Sequence, residues 1–215
     1  MSKLFHDRAE AGRVLAGMLG EYANSEDVLI LALPRGGVPV AFEVAKALNA
    51  PLDIFVVRKL GLPANEELAM GALASGNVRV LNDEVVDSFD VSDRVIEAVA
   101  EKEQVELKRR ECLYRGDSPL PDVRGKTILL VDDGVATGAT MRAAVAALRK
   151  QHPARIVVAV PVAPPTTCDI LRAEADEVIS FMTPEPFYAV GQWYRIFDQT
   201  TDAQVRELYE RSKNR

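Results

Sequence analysis

Residues 127–140 constrain this chain more than any other stretch. Thr127, Ile128, Leu129, Leu130 and Val131 form an apolar, β-branched run ending on two adjacent carboxylates, Asp132 and Asp133, after which come a glycine-containing turn and a helix-period stretch. Such a run suits a strand covered on both faces, the usual situation in a parallel sheet joined by crossover helices. The rest of the chain keeps the same alternation. Residues 28–33 read as a second buried strand, ended by Pro34-Arg35-Gly36-Gly37 and followed by one helical face of Val38, Ala41, Val44, Ala45 and Leu48. Residues 53–57, 155–160 and 177–181 supply further strands, with a short helix over 167–173. The expected fold class is α/β, a mostly parallel sheet flanked by helices.

Secondary features fit around that frame. Residues 68–74 and 78–81, separated by Ser75-Gly76-Asn77, predict a hairpin or a short excursion beside the main sheet. Ser92 is placed to cap a long charged helix that runs to Tyr114 and stops at Gly116, and Thr201-Asp202-Ala203-Gln204 fits a capping box ahead of a stripe of Val205, Leu208 and Tyr209. With 215 residues, 48% of them hydrophobic, the chain can bury one such core and is short for two, so a single domain over 1–215 is expected. A net charge of −6 argues against a nucleic-acid partner. No apolar run approaches the roughly 18 residues of a membrane span and the first residues carry no apolar leader, so no membrane association and a cytoplasmic location are expected. Cys112 and Cys168 stand far apart without a nearby histidine or second thiol, which leaves packing or surface roles. His6 and His152 have no nucleophile beside them and read as a terminus and a turn residue.

The chemistry concentrates at strand ends. Ligands of open parallel sheets sit beyond the carboxyl ends of strands, and a helix N-terminus offers unpaired amides and a positive dipole end, which suits a phosphate. Amides from Thr137 to Thr140 can surround phosphate oxygens, the Thr137 and Thr140 hydroxyls add donors, and Gly138 permits close approach. Asp132 and Asp133 make poor phosphate partners, so their ligands are hydroxyl groups or a Mg2+ that accompanies phosphates. Neither a Gly-x-Gly-x-x-Gly nor a Gly-Lys-Ser/Thr pattern competes for this segment. The residues alone also allow a plainer reading, in which the aspartates cap the next helix and the glycines only turn the chain.

Val131-Asp132-Asp133-Gly134-Val135-Ala136-Thr137-Gly138-Ala139-Thr140 resembles the 5-phosphoribosyl-1-pyrophosphate (PRPP) motif of type I phosphoribosyltransferases. The resemblance implies that fold, with a small hood formed partly by the C-terminal region. It also implies that Asp132 and Asp133 hold ribose hydroxyls and Mg2+, while Ala136 to Thr140 hold the 5′-phosphate. Arg35, Gly36 and Gly37 correspond to the pyrophosphate loop, although the same residues also fit a plain strand-to-helix turn. Arg58 and Lys59, at the expected end of the 53–57 strand, correspond to a basic pair that reaches pyrophosphate, and residues 61–67 correspond to a flexible loop closing over the substrates. Tyr188, Val190 and Trp193 lie in an aromatic stretch similar to the base-stacking hood of 6-oxopurine enzymes; core or dimer packing explains such aromatics equally well.

The same resemblance sets the expected function: a transferase that moves the phosphoribosyl group of PRPP to a nitrogen of a small-molecule acceptor, a nucleobase, releasing pyrophosphate. A homodimer is expected, and catalysis falls to Arg35, Arg58, Lys59, Asp132 and Asp133. Ala136 departs from the 6-oxopurine enzymes, which carry an acidic residue there, and this disfavours hypoxanthine and guanine. Together with Leu60-Gly61 and Asn65-Glu66-Glu67-Leu68-Ala69, the pattern is similar to a bacterial group of phosphoribosyltransferases whose acceptor is undefined. A non-catalytic sensor of PRPP or nucleotides with the same fold is the rival reading. Residues 82–124 match nothing assignable.

Overall fold

The computed structural model describes residues 4–214, apart from the side chain of Glu67. Its centre is a five-stranded parallel sheet in the order β2-β1-β6-β7-β8, formed by β1 (Val28–Ala32), β2 (Leu52–Ile54), β6 (Thr127–Val131), β7 (Arg155–Val162) and β8 (Glu177–Met182). Every pairing in it is parallel. Strand β6 is central and has Ile128, Leu129, Leu130 and Val131 fully buried, as a run covered on both faces requires. Burying side chains of this kind contributes about 1.5–3 kcal/mol each. One face is covered by α1 (Arg8–Ala16), α2 (Gly37–Leu48), α4 (Asp93–Arg115) and α7 (Asp202–Lys213), the other by α5 (Ala139–Arg149) and α6 (Pro165–Arg172). The expected face of α2 is buried throughout, and Thr201 and Gln204 form the expected capping box of α7. None of the helices is long and apolar enough to cross a membrane among the described residues.

A second sheet, antiparallel, holds β3 (Val57–Leu62), β4 (Asn65–Ala74) and β5 (Val78–Leu81). Here two sequence expectations need correction. Residues 53–57 are not one strand: β2 ends at Ile54, Phe55 still bonds back to the Ala32 carbonyl, and Val56 already exchanges bonds with Ser75. The chain thus changes sheets at Phe55-Val56, and Arg58 and Lys59 lie inside β3, not at the end of a central strand. Residues 61–67, expected as a flexible loop, are not separate from this sheet. Gly61 pairs with Ala69 and Leu62 with Asn65, so this stretch is the tip of the β3–β4 hairpin; the Glu67 side chain lies outside the described residues.

Residues 82–124 contain α3 (Asp83–Ser88) and the 23-residue α4, which buries Ile96, Ala100, Leu107 and Tyr114 against β3, β4 and α7. The buried Arg115 at its C-terminal end meets Asp53 of β2 at 2.9 Å. A hood cluster of Phe5, Ala11 and Tyr194, flanked by Phe181, Val190, Trp193 and Phe197, closes one end of the main sheet. The hood therefore draws on the N-terminal segment as well as the C-terminal one, through a bridge between Phe5 and Tyr194.

Candidate functional site

Strands β1 and β6 are neighbours in register, so the turns that follow them are forced together. A Cβ placed on Gly36 would stand 2.0 Å from Asp133 Oδ2 and 2.6 Å from its Cγ, and one on Gly37 would stand 2.7 Å from the Val131 carbonyl oxygen. A side chain at Gly36 would occupy the space of the Asp133 carboxylate, and one at Gly37 would press on the backbone of Val131 and Asp132. The glycines of the first turn and the aspartates of the second thus form one concave unit at the carboxyl end of the sheet, the usual place for a ligand in this architecture.

Beyond the aspartates, Gly138 takes φ +82°, a left-handed conformation natural to glycine, and opens α5 as its N-cap. Having no side chain, it supplies no cap to the first amides of that helix, which remain suited to an anion. Ala136, Thr137, Ala139 and Thr140 are exposed at this rim, while Val135 and Gly138 are buried beneath it. Thr167, in the first turn of α6, donates from Oγ1 to the Ala136 carbonyl at 2.6 Å and braces the turn from behind.

The carboxylates sit in a demanding environment. Burial, and then the negative charge of Asp133, push the Asp132 carboxyl well above the usual range; its Oδ1 accepts the Asp133 amide at 2.8 Å. Burial raises Asp133 as well, against the pull of Arg8, whose Nε donates to Asp133 Oδ2 at 2.7 Å. The Asp133 carbonyl oxygen accepts the Tyr194 hydroxyl of the hood. Two partly buried carboxylates beside the Arg8 guanidinium make a site that gains from an added cation or from hydroxyl donors. That donor set fits Mg2+, a hard cation taken up by one or two carboxylates together with substrate oxygens. No group of three or more metal-ligating His, Cys, Asp or Glu side chains gathers among the described residues.

The remaining expected residues are spread out. Arg35 reaches Asp202 at 3.8 Å, and Asp202 also accepts the Tyr114 hydroxyl at 2.7 Å. Arg58 is engaged by Glu103 of α4 at 2.6 Å. Successive strand residues point to opposite faces, so Arg58 shares the face of Leu60 and Leu73 toward α4, and Lys59 shares the face of Val57 and Ala74 toward α5. A cavity of about 420 Å³ is bordered by Arg58, Lys59, Pro63, Glu66, Lys102 and Glu103. In the hood, Val190 lies over the motif, 2.6 Å from a Cβ built on Gly134, while Trp193 stacks on Phe187 with centroids 6.1 Å apart. Tyr188 projects into solvent at 77% exposure. Sequence reasoning missed Arg8, Glu103, Thr167 and Tyr194. Arg8 and Tyr194 reach the motif from 125 and 61 residues away, and no local pattern marks them.

The family described as phosphoribosyl transferase domain matches residues 4–187. Two strains of Mycobacterium tuberculosis carry a protein named "Putative phosphoribosyl transferase" that is 47% identical over 211 residues. The match takes in 98% of this chain and 47% of the relative, so the chain spans about half the length of those curated relatives. A solved protein of Thermus thermophilus, TT1426, superposes with a TM-score of 0.85 at 40% identity, covering 96% of this chain and 97% of that one. AQ2163 of Aquifex aeolicus, 14% identical, shares the fold with a TM-score of 0.51, covering 94% of this chain and 85% of its own.

Proposed function

The chain belongs to the phosphoribosyl transferase domain family, and from its site we propose that it transfers the phosphoribosyl group of PRPP to a nitrogen of a small acceptor, a nucleobase, with release of pyrophosphate. One observation carries the reading: the carboxylates of Asp132 and Asp133 lie directly against Gly36 and Gly37, with an open helix N-terminus beginning a few residues further on at Gly138. Hydroxyl-binding carboxylates, a phosphate cradle and a second glycine turn in one concavity match the parts of a phosphorylated ribose bearing a second anionic group.

In the proposed reaction the bond from ribose C1 to the pyrophosphate oxygen breaks, a bond from C1 to the acceptor nitrogen forms, and the proton of the acceptor nitrogen passes to the departing pyrophosphate. The protein needs no covalent nucleophile. Asp132 and Asp133 fix the ribose through its hydroxyls, Ala136 to Thr140 hold the 5′-phosphate, and the turn of Arg35, Gly36 and Gly37 faces the pyrophosphate. Lys59 adds positive charge from β3, on the face directed to α5. Mg2+ entering with PRPP would be held by Asp132 and Asp133 and would neutralise phosphate charge. The hood residues Val190 and Trp193 border the acceptor side, and exposed Tyr188 is available to stack on a flat ring.

A pyrophosphate-release assay with PRPP, Mg2+ and a panel of nucleobases tests this reading, with Asp133→Asn as the control. Release that depends on one acceptor, and falls in the variant, supports it. PRPP binding without release across the panel replaces it with the sensor, and absence of PRPP binding overturns both.

A further inference from the structure

Arg8 opens α1, preceded by its N-cap Asp7. A cation in a first helical turn faces the positive end of the helix dipole, so local energetics disfavour this placement. Its tertiary contacts explain it. The guanidinium donates from Nε to Asp133 Oδ2 at 2.7 Å and from Nη1 to the Asp198 carbonyl at 2.6 Å, and its Cζ lies 4.0 Å from the centre of the Phe197 ring. Only 12% of the side chain is exposed. One planar group therefore joins the PRPP motif to the segment just after Trp193 and Tyr194 in the hood, and Tyr194 adds a second tie at the Asp133 carbonyl.

These contacts leave Asp133 with one committed oxygen. Oδ2 is held by Arg8 and lies under Gly36, which fixes the plane in which Oδ1 is presented. We propose that Arg8 is a positioning residue for PRPP: it fixes Asp133 so that one carboxylate oxygen faces the ribose, and it couples occupancy of the ribose site to the conformation of the hood. This assignment rests on the PRPP reading above. A planar fork is suited to the task because it makes two directed bonds while stacking on an aromatic face, which an ammonium cannot reproduce. Coupling of this kind is reciprocal, so an acceptor that orders the hood tightens PRPP, and PRPP prepares the hood for the acceptor.

Trp193 is the single tryptophan of the chain and stands in the hood beside Tyr194, so its emission reports hood state. The test compares the unaltered protein with Arg8→Gln and Arg8→Lys, measuring PRPP affinity in Mg2+ by equilibrium dialysis and Trp193 emission in parallel titrations, with thermal melts as a folding check. In the unaltered protein PRPP is expected to shift the emission, and binding without a shift overturns the coupling to the hood. Arg8→Gln is expected to bind PRPP about tenfold more weakly and to lose the emission change. Arg8→Lys, which keeps the charge and loses the fork, is expected to recover most of the affinity and little of the emission change. Equal affinity and an equal emission change in either folded variant overturn the assignment. Failure of the unaltered protein to bind PRPP overturns the underlying function and this assignment with it.

Discussion

Replacing Gly36 by alanine isolates the contact that joins the two halves of the site. Gly36 has φ −61° and ψ −34°, a conformation any residue adopts, so the backbone does not resist the change. In open space such a substitution would stabilise the fold by about 0.4–1 kcal/mol, because alanine restricts the unfolded chain. Here the new Cβ would meet Asp133 Oδ2 at 2.0 Å, Cγ at 2.6 Å and Oδ1 at 3.1 Å. Turning the carboxylate about its own axis exchanges one oxygen for the other and relieves nothing, and swinging it aside breaks the bond to Arg8. Overpacking of this kind costs about 1–3 kcal/mol, so a net loss is expected. All three of the nearest atoms belong to the carboxyl group, so in an Asp133→Ala background the same substitution becomes neutral or stabilising. Urea denaturation of the four proteins of the cycle gives the coupling directly, about 1–3 kcal/mol in favour of the double variant. Gly37→Ala serves as the control: its Cβ meets the Val131 carbonyl and the Asp132 Cα, which are backbone, and its cost persists in both backgrounds. An equal cost for Gly36→Ala in the two backgrounds would refute the reasoning.

Two further outcomes follow from the electrostatics and the strand geometry. Asp132 has its folded pKa raised, so the folded state retains a proton that the unfolded chain releases above about pH 4, and ionisation lowers stability as pH rises through that window. Asp132→Asn should therefore melt several degrees higher than the parent at pH 7, with the difference vanishing toward pH 4, while PRPP affinity falls; melts from pH 4 to 8 and a binding titration check both halves. Arg58→Met should lower stability by about 1 kcal/mol through loss of the partly buried pair with Glu103 and leave pyrophosphate binding nearly unchanged. Lys59→Met should weaken pyrophosphate about tenfold; calorimetric titration with pyrophosphate and urea melts compare the two.

What could be read from the sequence was what short-range chemistry determines. The run of Thr127–Val131, the left-handed glycine at 138 and the helix after it are a local unit, and each residue favours the conformation it adopts. The Thr201 capping box and the hairpin around Ser75-Gly76-Asn77 were legible for the same reason. Phe55-Val56 was not. An apolar run of five residues looks continuous whether or not the chain changes sheets within it, and the change is decided by Ala32 on one side and Ser75 on the other. Residues 61–67 carry turn formers that mark a hairpin tip as readily as a loop, and the choice depends on cover from α4, a helix whose own charged sequence reveals no partner.

The basic pair shows how the same rule affects function. Adjacent cations at the end of a strand can converge on one anion, whereas adjacent cations within a strand diverge, because alternation sends them to opposite faces. Once β3 begins at Val57 and not beyond Lys59, Arg58 is directed to Glu103 and the face with Lys59 is turned to α5, the helix that opens on the phosphate cradle. The two cations of the Arg-Lys pair therefore leave the strand in different directions, although both border the cavity beside α4. Asp133 Oδ2 meets both Arg8 and the Gly36 turn, and the Asp133 carbonyl accepts Tyr194, so the motif that identifies the family is also the point at which hood, N-terminal helix and central sheet are fastened together.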